Sequence, residues 1–480
     1  MSTTLSSSEA GAAPMTPRAA ATLIVLCGAI FLEGIDVAML NIALPAIRAD
    51  LNLTTTTLSG VVSAYVLGYA GFMLLGGRAA DIFGKRRVFL SALAVFIAFS
   101  GLGGLATEGW MLLLARFVTG AASAFMTPAG LALVATNFPE GPQRNRAVTI
   151  YASTASAGFS LGLVLGGLLA AIDWRWVFFA PVILALLIFV AAIRLIADRQ
   201  TKTTGERFDI PGAVTLTAAM LLAVHGVTRL EHPDQNLAWT LGIFGVSAAL
   251  WLAFFFLIER LSAAPLVRFS IFRSGSLVRS NLGALLFAGS FFGFQFIATL
   301  YLQELLGWTP IETSIAMLVI GIDAVVAPIL TPRLVDRFGN DRVIFAGFVL
   351  AAISYALLLG IELDWTYAAI FPSMLLLGLA FSIAYSPLTI AATDGIHEDE
   401  QGLAGGLVNT AFQFGAALGL SGASAIGAYV LGEATSAEAR LVSLQTALIV
   451  PVAAAVAGAL ITAMGIRRCR DLPRDQVMPS

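Results

Sequence analysis

The chain has 480 residues, of which 58% are hydrophobic and 12% charged, with a net charge of −2 and a mean hydropathy of +0.88. Soluble domains carry roughly 25% charged residues, so the composition excludes a soluble enzyme or binding module and indicates a polytopic membrane protein. The ionisable residues fall between apolar blocks and form no basic face for a nucleic-acid partner, and two cysteines, Cys27 and Cys469, supply neither a disulfide framework nor a metal site.

In chain order, residues 1–19 are small and polar and read as a disordered cytoplasmic tail. They lack the basic start of a signal peptide, and the apolar run after them is too long for one. A membrane span needs about 20 apolar residues. That length predicts helices at 20–46, 56–77, 88–106, 109–137, 145–171, 176–197, 209–230, 237–258, 280–305, 310–330, 343–361, 365–390, 402–431 and 442–466. The resulting fold class is all-α, with 14 transmembrane helices and both termini on one side. Of the 27 Lys and Arg residues, 22 then fall in inner segments, Arg48, Arg175, Arg229 and Arg440 in outer ones, and Arg116 inside a span. An excess of basic residues on the cytoplasmic side is the expected bias.

GGRAADIFGKRR (76–87) follows the second span and TPRLVDRFGNDR (331–342) the tenth; Asp81 and Gly84 recur 255 residues later as Asp336 and Gly339. Gly158 and Gly162 recur 257 residues later as Gly415 and Gly419. The chain therefore divides into an N-terminal six-helix bundle (20–197), a linker with two inserted helices (198–276), a C-terminal six-helix bundle (277–466) and a cytoplasmic tail (467–480). Parallel repeats of this kind build rocking transporters.

At these residues the sequence resembles the major facilitator superfamily, and within it the fourteen-helix drug:proton antiporters. GRAADIFGKRR (77–87) is similar to the superfamily signature between helices 2 and 3, with Ala79 for its usual Leu. IDVAMLNIALP (35–45) resembles the first-helix motif of the fourteen-helix group, RFVTG (116–120) the fourth-helix motif with Thr119 where Gln is common, and WRWVFF (174–179) and GLVNTAFQFGAALG (406–419) are further likenesses. GFSLGLVLGG (158–167) keeps the glycines of the fifth-helix antiporter motif but has Leu163 in place of its proline. Without that bend, the glycines serve either antiport or close helix packing alone.

Glu33 and Asp36 lie at membrane depth, roughly 20 to 25 Å along the first helix, and their spacing places them on one face. Buried carboxylates in a span mark proton or ion paths; the other reading is that Glu33 only bonds a neighbouring helix. Arg116 must face a carboxylate or a water-filled cavity, and the resemblance gives it a part in proton coupling. Asp323 in the tenth span is either a second coupling acid or a packing contact. In the ninth span Phe291, Phe294, Gln295, Tyr301 and Gln303 suit an amphipathic ligand, and Asn41, Asn409 and Gln413 join them as candidate substrate residues. The resemblance implies gating by Gly77, Asp81, Gly84, Lys85, Arg86, Arg87, Asp336 and Gly339. The segment DGIHEDEQ (394–401) reads as a loop whose Glu398, Asp399 and Glu400 latch onto Lys85, Arg86 and Arg87 when the cytoplasmic side closes, or as a solvated acidic loop.

These readings converge on a proton-driven exporter of amphipathic, often cationic, compounds, acting as a monomer in a bacterial inner membrane and needing no cofactor or metal. A dedicated exporter of one secondary metabolite, siderophore or peptide is the alternative, and an uptake symporter a weaker one. No metal-ligand cluster, phosphate-binding loop or nucleophile elbow supports an enzyme. Arg outnumbers Lys 25 to 2, in keeping with a GC-rich bacterial genome.

Overall fold

The computed structural model describes residues 15–138, 142–196, 210–230, 237–254, 269–394, 396, 398–432 and 434–471. The tail before residue 15, the linker at 197–209 and the end beyond 471 lie outside the described residues, as do the side chains of Asp81, Glu398, Asp399 and Glu400. Every regular element among the described residues is helical. Among the described residues ten helices are long and apolar enough to cross a membrane, and Thr57–Met73, Ala157–Ile172 and Trp239–Ala253 are shorter apolar helices.

The N-terminal half holds α1 (Pro17–Leu51), α2 (Thr55–Phe83), α3 (Lys85–Gly104), α4 (Gly109–Asn137), α5 (Pro142–Ile172) and α6 (Trp176–Leu195). Thr16 caps α1 by accepting from the Ala19 N–H, and Pro17 occupies the first turn, where its missing N–H costs nothing. The helix therefore starts three residues before the expected span, inside what composition assigned to the tail. At 35 residues α1 is about 52 Å long, well beyond the ~30 Å hydrocarbon core, so it tilts or projects from it.

Next come α7 (Ile210–Leu230) and α8 (Leu237–Ala253), in the region where the sequence places two inserted helices. The C-terminal half holds α9 (Gly275–Leu300), α10 (Pro310–Leu318), α11 (Asp323–Phe338), α12 (Asn340–Leu357), α13 (Tyr367–Thr393), α14 (Glu398–Leu431), α15 (Ala437–Ala447) and α16 (Ile449–Asp471).

Three sequence expectations need correction. The signature at 76–87 is not a loop: α2 runs through Phe83, Gly84 alone breaks the helix, and α3 begins at Lys85. Gly84 has φ 95° and its repeat counterpart Gly339 has φ 81°, a region that an L side chain rarely adopts. The acidic segment is likewise partly helix, because α14 starts at Glu398. The tenth span is two helices, interrupted by a 3₁₀ turn at Val319–Ile322. A π turn at Tyr301–Leu305 closes the ninth span. Such irregular turns inside helices often mark functional hinges.

Within each half the tightest packing uses the repeated glycines. A methyl on Gly158 would sit 2.6 Å from the Phe31 carbonyl, and one on Gly162 would sit 2.8 Å from Ile35 Cα, so α5 lies backbone to backbone on the stretch of α1 that carries the acids. Gly415 and Gly419 do the same for α14 against Leu285 and Gly289 of α9. In lipid, where no hydrophobic force joins helices, small residues that allow such approach drive association. Leu163, at the position of the missing proline, is fully buried among Ala38, Ile42, Phe291 and Phe294, wedged between the halves.

The halves meet along α2 with α14 and α5 with α10. Helix α7 packs on both α2 and α14, and the Thr217 hydroxyl donates to the Gly71 carbonyl at 2.8 Å, so this helix stands beside that seam.

Candidate functional site

On α1, Asp36 is sealed and Glu33 is not. Arg116 Nη1 donates to Asp36 Oδ2 at 2.5 Å, and both side chains are 2% exposed. The guanidinium also lies 4.3 Å above the Tyr65 ring of α2, a cation–π contact that spreads the charge over a second partner. Removing either member of such a buried pair leaves an uncompensated charge at a cost of about 3 to 5 kcal/mol. Glu33, one turn nearer the chain terminus, is only half-buried. It accepts from the Thr127 hydroxyl of α4 and adjoins Tyr69 of α2, while Tyr151 of α5 donates to the Thr127 carbonyl at 3.3 Å. One carboxylate is thus locked to a cation, and its neighbour rests on exchangeable hydroxyl donors.

The C-terminal half contributes an aromatic ribbon. Phe291 of α9 meets Phe159 of α5 at 5.9 Å and Phe381 of α13 at 5.0 Å. Phe381 stacks on Tyr385 at 5.1 Å, and Tyr385 meets Phe412 of α14 at 4.9 Å. Tyr385 also stands within electrostatic reach of Glu33 and Asp323, which brings the ribbon to the acids of both halves. An aromatic wall beside carboxylates can hold the apolar body of a ligand and its cationic group together.

Towards the end remote from Pro17 and Asp471 the halves are joined by polar contacts. Asn41 Nδ2 donates to Gln295 Oε1 at 3.2 Å, and Gln303 Nε2 to the Ile42 carbonyl at 3.0 Å. Pro45, one turn on, removes a ladder donor from α1 at this point. Arg48 Nη1 reaches both carboxylate oxygens of Glu304 at 2.9 Å, and Ser63 pairs with Ser421 at 3.3 Å. Gln295 is fully buried, and its Nε2 is without a hydrogen-bond partner among the described residues. Glu304 faces Arg48 from the π turn.

The remaining candidates separate. Phe294 is core, packed on Tyr355 at 5.0 Å, and the Tyr301 hydroxyl ties to the Glu362 carbonyl at 2.5 Å. Asn409 and Gln413 are half-buried on α14. Asp323 is nearly buried at the first turn of α11, directly after the 3₁₀ break. Arg86 donates to the Ile193 carbonyl of α6 at 2.9 Å, which engages it within its own half. Lys85 is half-buried; Arg87, Asp336 and Gly339 are exposed. Gly77 lies 3.8 Å from Pro128, measured from an added Cβ.

Sequence reasoning missed Tyr65, Tyr69, Thr127, Phe159, Phe381, Tyr385 and Phe412. The signal for one pair was present, since Phe381 and Tyr385 are spaced i, i+4 on a helix, where side chains meet. Among the described residues there is no cluster of His, Cys, Asp and Glu fit to hold a metal.

The Major Facilitator Superfamily model matches residues 26–420. The chain is 34% identical over 432 residues to the cephamycin export protein of Amycolatopsis lactamdurans, covering 88% of this chain and 87% of that protein. It is 34% identical to the lincomycin resistance protein of Streptomyces lincolnensis, with 83% and 82% covered, and 30% identical to the tetracenomycin C resistance and export protein of Streptomyces glaucescens, with 83% and 74% covered. Among solved structures, a peptide transporter bound to sulfate aligns with TM-score 0.68 at 15% identity over 94% of this chain and 95% of its own, and a nucleoside transporter with TM-score 0.61 at 14% identity over 95% and 100%; at that identity they speak for the fold alone. With a family model spanning most of its length and relatives at this identity, the chain belongs to the Major Facilitator Superfamily.

Proposed function

We propose that the protein exports amphipathic compounds in exchange for protons, by alternating access between its two halves. The observation that carries this reading is the pairing of a sealed Asp36–Arg116 bridge with a half-open Glu33 one turn away, in a chain similar to antibiotic export and resistance proteins. The chain crosses the membrane fourteen times with both termini in the cytoplasm, as the basic residues of its inner segments support. It works as a monomer in a bacterial inner membrane. In that orientation the Arg48–Glu304 end faces outward, and the polar contacts there close the outer face.

Proton binding to Asp36 from outside releases Arg116, and its return to the carboxylate resets the site. Glu33 and the aromatic ribbon hold the ligand, Glu33 by its charge and Phe381, Tyr385 and Phe412 by their faces, with Asn41 and Gln295 at the outer limit. Asp323 is a second acid near Tyr385. Gly84 and Gly339, with Asp81, Lys85, Arg87 and Asp336 around them, pivot the inner gate. Each charge crossing 100 mV contributes about 2.3 kcal/mol, enough for nearly two decades of ligand gradient at about 1.4 kcal/mol each.

A second reading, export of one dedicated metabolite, is favoured by relatives that are each named for a single antibiotic. A substrate panel in everted vesicles, scored by proton release on substrate addition, tests both. Release with several unrelated compounds supports multidrug exchange, release with one supports the dedicated exporter, and accumulation without proton movement overturns the coupling.

A further inference from the structure

The geometry points to a second ligand site, separate from the central one, that takes an anionic amphiphile: a carboxylate or similar oxyanion head on a short apolar tail. A cavity of about 250 Å³ lies between α9, α14 and α15 at the end remote from the termini, roofed by Arg48 of α1. Its deep wall is apolar, formed by Phe296, Ile297, Leu300, Ala423, Leu444 and Ala447. Its mouth is charged, formed by Arg48, Glu304 and Arg440. A wider hollow of about 480 Å³, lined by Pro45, Asn52 and Leu53, shares those three charged residues, so one cluster borders both spaces.

The tail preference follows from the wall, and the size limits it. Sites for drug-sized ligands begin at about 300 Å³, so this cavity suits a chain or a small ring. The head preference follows from charge. Both Glu304 oxygens are occupied by Arg48, and the described charged residues at the mouth are two guanidinium groups against one carboxylate. Arg440 therefore offers its donors to an incoming oxyanion, in the geometry guanidinium groups favour. Inside, the Ser424 hydroxyl lines the cavity at 2% residue exposure with no hydrogen-bond partner among the described residues. A buried hydroxyl left unpaired is costly, and an acceptor atom on the ligand would satisfy it.

The central site has a different character: acids and aromatics, fit for a cation, below the Asn41–Gln295 contact. The cavity above that contact is bounded by α1 on one side and α9, α14 and α15 on the other, so a molecule seated in it bridges the halves while that end is closed. Two sources share the chemistry, an anionic membrane lipid sending in a chain and an aqueous carboxylate amphiphile.

The test uses the full-length protein in nanodiscs of neutral phosphatidylcholine, with radiolabelled octanoate as the probe, small enough for the cavity, followed by scintillation proximity. Saturable binding of about one probe per protein is expected. Arg440→Gln should weaken it about tenfold, the loss of one charged hydrogen bond, and Ala423→Leu, which fills the wall, should abolish it. Thermal midpoints report that both variants are folded, and should Ala423→Leu fail to fold, Arg440→Gln decides alone. Displacement of the probe by phosphatidylglycerol in the nanodisc supports the site with lipid as its source; displacement only by soluble carboxylates supports it with an aqueous source. Unchanged affinity in Arg440→Gln, or equal binding of radiolabelled octanamide, the uncharged analogue of the same chain length, overturns it.

Discussion

Arg48 and Glu304 meet at 2.9 Å through both carboxylate oxygens, and they stand 256 residues apart in a chain whose motifs repeat at 255 to 257. Arg48 is thus opposite its own counterpart, and Asn41 and Gln295, at 254, lie just outside that spacing. With side chains 28% and 20% exposed, the ion pair is partly screened and contributes about 1 kcal/mol at most. That suffices to move a balanced two-state equilibrium about fivefold. Glu304→Gln should raise the labelling of cysteines placed near Asn41 from the outer side by that factor, and exchanging the two charges should restore the wild-type rate. Identical labelling in all three proteins would remove the pair from the gate.

Asp36 and Glu33 should fail differently. Asp36→Asn strands Arg116, so about 3 to 5 kcal/mol of stability and all proton-coupled export should go together. Adding Arg116→Gln should recover part of the thermal midpoint but no export. Glu33→Gln keeps an acceptor for the Thr127 hydroxyl, so the midpoint should hold while export of cationic compounds falls more than that of neutral ones. Equal losses for both classes would assign Glu33 a structural or coupling role instead.

The glycines of α5 and α14 lie in backbone contact with α1 and α9. Gly162→Val and Gly419→Val each force apart helices already in backbone contact, and should lower stability by about 1 to 3 kcal/mol or more. Gly101 of α3 has nothing within 4 Å of an added Cβ, so Gly101→Ala should leave the midpoint unchanged or raise it slightly, as Ala is the better helix former. Thermal unfolding in detergent measures all three.

At the inner end, changing Glu398, Asp399 and Glu400 together to Lys should slow transport, and adding Lys85→Glu and Arg87→Glu should restore part of it. Arg86 is left out because its guanidinium is bound to the Ile193 carbonyl. The acids also occupy the first turn of α14, where the helix dipole favours them. If that is their whole role, the triple change lowers the thermal midpoint and the second set of changes does not rescue transport at low salt, where screening is weakest.

The all-helical, membrane-crossing character was legible because a membrane span must be long and apolar, although ten helices among the described residues are long enough to cross, against fourteen expected. The sequence repeat was legible because glycines and an Asp recur at fixed spacing. That Arg116 would face a carboxylate or a water-filled cavity followed from the expense of an unpaired cation in lipid; that the carboxylate is Asp36 came only from the structure. What the sequence left hidden depends on rotation and irregularity. Hydropathy registers length, so it missed that Gly84 alone separates α2 from α3, and that four residues at Val319–Ile322 interrupt the tenth span. It also gave no means of telling Phe294, packed on Tyr355, from Phe291, in the ribbon. In an all-apolar helix no polar face reveals which side is inward.

The facing of counterparts restricts the charges that can stand there. Two identical halves with Arg or Glu at this position would set like charges against each other, and these would hold that end apart. An amide opposite an amide carries no such penalty, since Asn and Gln each donate and accept. An amide pair such as Asn41–Gln295 is therefore compatible with two like halves, whereas the Arg48–Glu304 contact requires that the two halves differ in charge at that position. Charge of opposite sign at one repeat position in the two halves is thus what makes this contact a clasp instead of a repulsion.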